Sequence, residues 1–287
     1  MSQTALSPQP DSETLVIRPT KGWASLNLRE LWQYRELIYF LTWRDIKVRY
    51  KQTILGAAWA IINPVINMVV LQLVFGQLAH LGSEGVPGPI FRFAALLPWG
   101  LFSKALTASG RSMLSNRSLI TKVYFPRLSV PLASTLGGVL DFLISFAVLL
   151  GMMLWWHVTP NWGILTLPFI ILFALITALG VGLWFSALNV LYRDVGYILP
   201  VMTQLLLFIS PVGYSTSEVP IQWQALYALN PMTGVIESFR WAILGTTPSD
   251  SLSLGVIVGI SATVAVTLFI SGLFYFRRME RSFADVV

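Results

Sequence analysis

The sequence predicts an all-α integral membrane protein: six transmembrane helices per subunit, an N-terminal amphipathic interface helix before them, and a re-entrant helix pair before the last span. Three observations carry that prediction. Of 287 residues, 55% are hydrophobic and only 11% charged, whereas soluble domains carry about 25% charged residues. Six stretches of 18 residues or more hold at most one charged residue each, and about 20 apolar residues suffice for one crossing. If successive stretches cross and recross, 16 of the 19 Lys and Arg fall on one side, as the positive-inside bias requires. The mean hydropathy of +0.69 agrees, and a water-soluble enzyme is excluded. The absence of cysteine removes disulfides, thiolate nucleophiles and Cys-based metal sites. In a membrane protein a pI near 9.7 mainly encodes orientation rather than nucleic-acid binding.

Three regions follow in order: a flexible extension at 1–22, an amphipathic helix with a basic linker at 23–52, and the six-span unit at 53–287. Residues 1–22 are polar and hold Pro8, Pro10 and Pro19, without the basic start and apolar core of a signal peptide. Asn27 and Glu30 match capping-box spacing loosely. Leu28, Leu31, Tyr34, Ile38 and Leu41 then recur at helical spacing, with Arg29, Glu30, Gln33, Arg35 and Glu36 on the other faces. Trp32 and Trp43 flank the stripe, and Arg44 follows it. Too charged to span and apolar along one side, this helix is expected in the membrane interface.

The spans are expected at 53–79, 93–110, 128–156, 164–191, 195–214 and 252–276. Pro64 should kink the first. In the last, Gly255 and Gly259 form a small-xxx-small pair suited to close helix contact. Eight Lys/Arg precede the first span, four lie in the loop between spans two and three, and Arg277, Arg278 and Arg281 end the chain. Both termini are therefore expected in the cytoplasm, with Arg92 and Arg240 on the opposite side. A seventh span at 215–251 would push the terminal arginines outside, and Glu237 and Arg240 interrupt it. That stretch, with Trp223, Tyr227, Phe239 and Trp241, reads as two short helices over about 219–246 that enter the outer leaflet and return, joined at Asn230-Pro231. Such backbone is tolerated only where protein or a water-filled cavity covers it.

Catalytic chemistry is scarce. There is no phosphate-binding loop of the Gly-x-x-x-x-Gly-Lys-Ser/Thr kind, and His80 and His157 are not spaced as a metal pair. Lys104 and Asp141 are the ionisable residues inside spans. Asp141 should face protein or water, and Lys104 is expected to snorkel to the cytoplasmic edge rather than pair with it. Trp59, Trp99 and Trp184 lie well inside spans, unlike the outer belt of Trp155, Trp156 and Trp162. They suit either helix packing or a surface along which sugar rings slide, and both readings stand.

The loop at 116–127 differs in kind. Asn116 opens a short helix over about 115–126 that offers Leu119, Ile120, Val123 and Tyr124 on one face, beside Phe125. Pro126 stops it, and Arg117, Lys122 and Arg127 bound it. Exposed aromatic and apolar groups there suggest a docking knob for a cytoplasmic partner; a loop with incidental aromatics is the plainer alternative.

Several motifs, in this order, resemble one family. They are Tyr34-Arg-Glu-Leu, then Trp43-Arg-Asp-Ile-Lys-Val-Arg-Tyr-Lys-Gln-Thr-Ile-Leu-Gly56-Ala-Ala-Trp59, then Leu97-Pro-Trp99. Leu119-Ile-Thr-Lys-Val-Tyr-Phe-Pro126-Arg127, Asn189-Val-Leu-Tyr-Arg-Asp194-Val and Leu229-Asn-Pro-Met-Thr follow. The chain is similar from about Gly22 onward to the membrane permeases of bacterial ABC exporters for cell-surface polysaccharides (O-antigen, capsule, teichoic acid), O-antigen export permeases above all. The resemblance implies a homodimer in the cytoplasmic membrane that moves a lipid-linked polysaccharide. It implies two separate ATPase subunits, which bind the ATP and Mg, and no cofactor or metal in this chain. It further implies that the segment 116–124 couples to the ATPase, with Tyr192, Arg193 and Asp194 as a smaller contact, and that the paired outer helices gate the exit. A permease for a small hydrophobic compound shares this architecture, whereas a membrane enzyme acting on lipid-linked sugars lacks a catalytic constellation here.

Overall fold

The computed structural model describes residues 28–51, 58–192, 194–248 and 252–280. The expected extension at 1–22, the Asn27 cap, the end of the basic linker, Arg193, Arg281 and the side chain of Leu28 lie outside the described residues. Within them every regular element is helical. The chain begins with α1 (Leu28–Gln33) and α2 (Arg35–Lys51), followed by α3 (Ala58–Leu71), which continues as a π-helix (Gln72–Leu78). Next come α4 (Gly88–Ser115), α5 (Arg117–Ile120), α6 (Ser129–Leu136) and α7 (Val139–Trp155). A 3-10 turn (Trp162–Thr166) leads into α8 (Leu167–Leu191), and α9 (Val195–Ile209), α10 (Ile221–Tyr227), α11 (Pro231–Leu244) and α12 (Leu254–Met279) complete the fold.

Four of these stretches are long and apolar enough to cross a membrane: Ala58–Leu78, Ser129–Trp155, Trp162–Leu191 and Leu254–Met279. The other two expected spans differ for a physical reason. α9 is apolar but only 15 residues long. α4 has 28 residues, ample length at 1.5 Å each, but it carries Arg92, Lys104 and Arg111. It tolerates them because it is the central helix. Ile90 through Trp99 are all buried, and α8, α6, α11, α7, α3 and α9 pack around it. Protein rather than lipid surrounds much of its surface, so protein groups satisfy its charges.

The tightest crossing joins α8 to α12. A Cβ on Gly272 would collide with the Gly180 carbonyl oxygen, and one on Gly180 would lie 2.7 Å from the Phe269 backbone. The expected pair Gly255 and Gly259 meets nothing within 4 Å, so the close contact is made at the other end of the helix. Gly272→Leu should therefore lower thermal stability in detergent by about 1–3 kcal/mol through overpacking, while Gly259→Ala should be tolerated. Equal stability of the two variants, read by size-exclusion chromatography after heating, would contradict this crossing.

Two local expectations are corrected. The N-terminal helix is two pieces and runs on to Lys51. Its stripe does not wait for lipid: Leu41 is buried and Leu31, Tyr34 and Ile38 pack with it on a core that includes Ile120, Phe125, Leu128 and Phe276. Trp32, Tyr39, Phe40 and Trp43 are the exposed aromatics. The third stretch is interrupted at Gly137-Gly138, a pair with high entropic cost in a helix interior. Asp141 thus sits in the first turn of α7, where the helix dipole favours a carboxylate, and not deep within one continuous helix. In the first stretch α3 runs through Pro64 and passes into the π-helix at Gln72.

Candidate inner cavity and its flanking elements

α2, α3, α4 and the α6–α7 break line an open cavity of about 950 Å³, whose wall includes Arg44, Arg49, Trp59, Asn63, Lys104, Arg111 and Asp141. A second cavity of about 300 Å³ continues from it and shares Asn63, Ser103, Lys104 and Asp141; Trp99 lies on its wall. Asp141 stands where the two meet. Lys104 Nζ donates to its Oδ2 at 2.7 Å and Arg49 at 3.0 Å, and the Tyr50 hydroxyl donates to Oδ1. Lys104 therefore pairs with Asp141 instead of snorkelling. The buried carboxylate would be costly alone, and its cations come from α2 and α4. Tyr50 is pushed up to about 12, first by burial and then by its bond to Asp141, so its hydroxyl remains a donor at neutral pH.

The three interior tryptophans separate. Trp59 and Trp99 line the two cavities. Trp184 instead stacks on Tyr275 with centroids 4.2 Å apart and donates to Ser271 at 3.2 Å, joining α8 to α12. Its environment is packing.

The 116–127 segment is less helical than expected. Asn116 is buried, donates to the Ser112 carbonyl at 2.9 Å and accepts from Arg44 at 2.7 Å. After it, α5 lasts one turn. Ile120 and Phe125 are buried and Leu119 is half-buried, so the expected single exposed face does not form. Val123 and Tyr124, at 55% and 65% exposure, project from the turns beyond the helix, beside exposed Lys122. Burial and the nearby Glu30 carboxylate push the Tyr124 hydroxyl pKa up. Arg127 donates to the Glu280 carbonyl, tying the segment to the end of α12. Tyr192 and Asp194 are exposed on the α8–α9 turn.

At the opposite end, the expected paired helices are α10 and α11. Asn230 caps α11 by accepting from the Met232 N–H at 3.1 Å, and Pro231 occupies the first helical position, where its missing N–H costs nothing. Gly245 ends α11 at φ 70, the left-handed closure glycine favours. Trp223 is exposed, the Tyr227 hydroxyl shares a 2.6 Å hydrogen bond with Tyr214, and Phe239 is buried against Phe142 and Phe146. Trp241 is half-buried.

The geometry can be set beside known proteins. Residues 36–244 match the family described as ABC-2 type transporter. The chain belongs to that family. Among relatives of this ABC-2 chain is the O-antigen export system permease protein RfbA of Myxococcus xanthus, 29% identical over 256 residues, which cover 88% of this chain and 96% of the relative. The protein of that name from Klebsiella pneumoniae is 28% identical over 257 residues, 88% and 95% of the two chains. Polysialic acid transport protein KpsM of Escherichia coli is 27% identical over 243 residues, 83% and 92%. An ABC-2 transporter with several apolar spanning helices is a multi-pass membrane protein.

Two groups of residues in this ABC-2 chain escaped sequence reasoning. Arg49 and Tyr50 are the further partners of Asp141; they stand inside the Trp43–Trp59 motif, but nothing in the spacing says what they touch. Arg92 and Arg240, read as charges of the outer side, are both fully buried. Arg92 donates to Gln72 at 2.7 Å and to the Leu81 carbonyl at 3.2 Å. Arg240 donates to the Tyr214 and Val212 carbonyls at 3.1 Å and reaches Glu237 at 3.4 Å. The available signal was the Glu237–Arg240 spacing of three within an apolar helix, which places both on one face.

Proposed function

We propose that this chain is the channel-forming half of an ATP-driven exporter that carries a lipid-linked cell-surface polysaccharide of the O-antigen type from the cytoplasm across the cytoplasmic membrane. The single observation that carries it is the match along nearly the whole chain to permeases named for O-antigen export. The two joined cavities, which hold Trp59 and Trp99 together with polar groups such as Asn63, Ser103 and Lys104, support it, because sugar hydroxyls need polar partners or water along their way.

In this reading α3 with its π-helix, α4, α6–α7, α8, α9 and α12 are six spans, and the charge count places both termini in the cytoplasm. α1 and α2 lie along the cytoplasmic interface on Trp32, Tyr39, Phe40 and Trp43. Two copies form the conduit. Two ATPase subunits hold the ATP and Mg and press on Lys122, Val123 and Tyr124, with Tyr192, Arg193 and Asp194 as the smaller contact. α10 and α11 close the outlet. Nucleotide shifts the conduit only through contacts that differ between its states, and the exposed turn at 122–124 is placed for such contacts. The relative named for polysialic acid transport favours a second reading, in which the cargo is a capsule polymer or another lipid-linked glycopolymer such as teichoic acid.

Deleting the gene in its source bacterium should abolish surface polysaccharide and leave lipid-linked polymer inside the cell, both reversed by the restored chain. Undiminished surface polysaccharide in the deletion strain would overturn the reading.

A further inference from the structure

We propose that the 950 Å³ cavity is a binding site for a phosphate-type anion, and that Asp141 is the counter-ion which this ligand displaces from Arg49 and Lys104. The cargo class rests on the polysaccharide reading, under which a phosphate-type group carried by the lipid-linked cargo would be the anion.

The charges of the wall are unequal in number and in availability. Arg44, Arg49, Lys104 and Arg111 face two carboxylates, Asp45 and Asp141. Asp45 is held by Arg44 at 2.8 Å. The Asp141 side chain is only 7% exposed and is already approached by three donors, whereas Arg49 and Lys104 keep 40% and 43% of their side-chain surface. The carboxylate is spent, and the cations are not. A guanidinium has five N–H donors and an ammonium three. Arg49 gives its bonds to Gly137 O and Asp141 from one nitrogen only, and Lys104 makes one bond. The same wall carries hydroxyls and an amide: Ser103, Thr107, Ser134 and Asn63. Two net positive charges, forked guanidinium donors and hydroxyls suit phosphate oxygens, which arginine recognises through paired charge-assisted hydrogen bonds.

Exchange has a mechanical consequence. Arg49 and Tyr50 belong to α2, Lys104 to α4 and Asp141 to α7, so this carboxylate ties the N-terminal helix to two others. An anion that takes Arg49 and Lys104 loosens α2 from α7. α2 also reaches the start of the 116–127 segment through Arg44 and Asn116, 2.7 Å apart, so an occupied site is felt at the base of that segment.

The test uses the full chain in phosphatidylcholine nanodiscs without any ATPase, with inorganic pyrophosphate and farnesyl diphosphate as probes and ³¹P NMR titration as readout. Wild type should bind both. Arg49→Gln and Lys104→Gln should each weaken binding about tenfold or more, Lys104→Arg should retain it, and Asp141→Asn should tighten it by a comparable factor. Asp141→Asn is the decisive arm, since removing a structural carboxylate would leave binding unchanged or weaken it, and either result overturns the displacement. Elution of each variant at the wild-type volume shows that it is folded. Tighter binding of farnesyl diphosphate assigns the anion to a lipid head group, and equal affinities assign the site to free phosphate; in both cases the anion site stands. No binding of either probe to wild type overturns the site, and leaves polysaccharide export to be judged by the deletion strain.

Discussion

Replacing Arg240 with alanine should cost about 3–5 kcal/mol of stability, the penalty for breaking a buried charge pair from one side. The Arg240 guanidinium is fully buried, lies 3.7 Å over the Phe91 ring and holds the Val212 and Tyr214 carbonyls. Its loss strands those carbonyls together with Glu237. Glu237 keeps the Thr216 N–H at 3.2 Å and hydroxyl at 2.6 Å, so Glu237→Gln should be milder. Arg240→Met combined with Glu237→Gln should recover part of the loss, because it leaves no unpaired charge. The 210–220 turn that this network holds precedes α10, so the damage is expected around α10 first. Thermal unfolding in detergent reads all four proteins, and an Arg240→Ala melting profile equal to wild type would show that the network is not a structural tie.

Tyr124→Ala should cut ATP-dependent export about tenfold or more, an interface contact of at least about 1.4 kcal/mol, without affecting folding. Its side chain is 65% exposed and belongs to no core cluster. Phe125→Ala, one residue on, should behave differently. Phe125 is buried with Leu41, Met113 and Ile120, and truncating such a ring costs about 3–5 kcal/mol, so this variant should lose folded protein. Measuring membrane abundance, ATPase co-purification and surface polysaccharide together separates the two. Full export by an abundant Tyr124→Ala protein would remove this residue from the ATPase contact.

The contrast between neighbouring residues shows where sequence reasoning stops. Apolar runs punctuated by charge located the helices, because burying backbone in lipid leaves the chain little choice but helix. The start of α11 was legible for a local reason: Asn230 and Pro231 are the residues a helix start prefers, and the cap forms as that pairing implies. The pairing of Lys104 with Asp141 was not legible, since they are 37 positions apart and meet only because the Gly137-Gly138 break sets Asp141 beside α4. Arg92 and Arg240 read as charges of the outer side because hydropathy cannot distinguish an arginine facing solvent from one held by buried carbonyls. The 116–127 segment had a helix-like pattern, but Ile120 and Phe125 found a tertiary core, and burial outweighed the helical register beyond Ile120.

This chain should move a lipid-linked polysaccharide only when an ATP-hydrolysing partner drives it. Proteoliposomes holding the chain with its ATPase, oriented with the nucleotide side outward, test it most directly when supplied with labelled lipid-linked polymer. Polymer should enter the lumen with ATP and stay outside when the ATPase is omitted. Entry at the same rate without the ATPase would contradict the account.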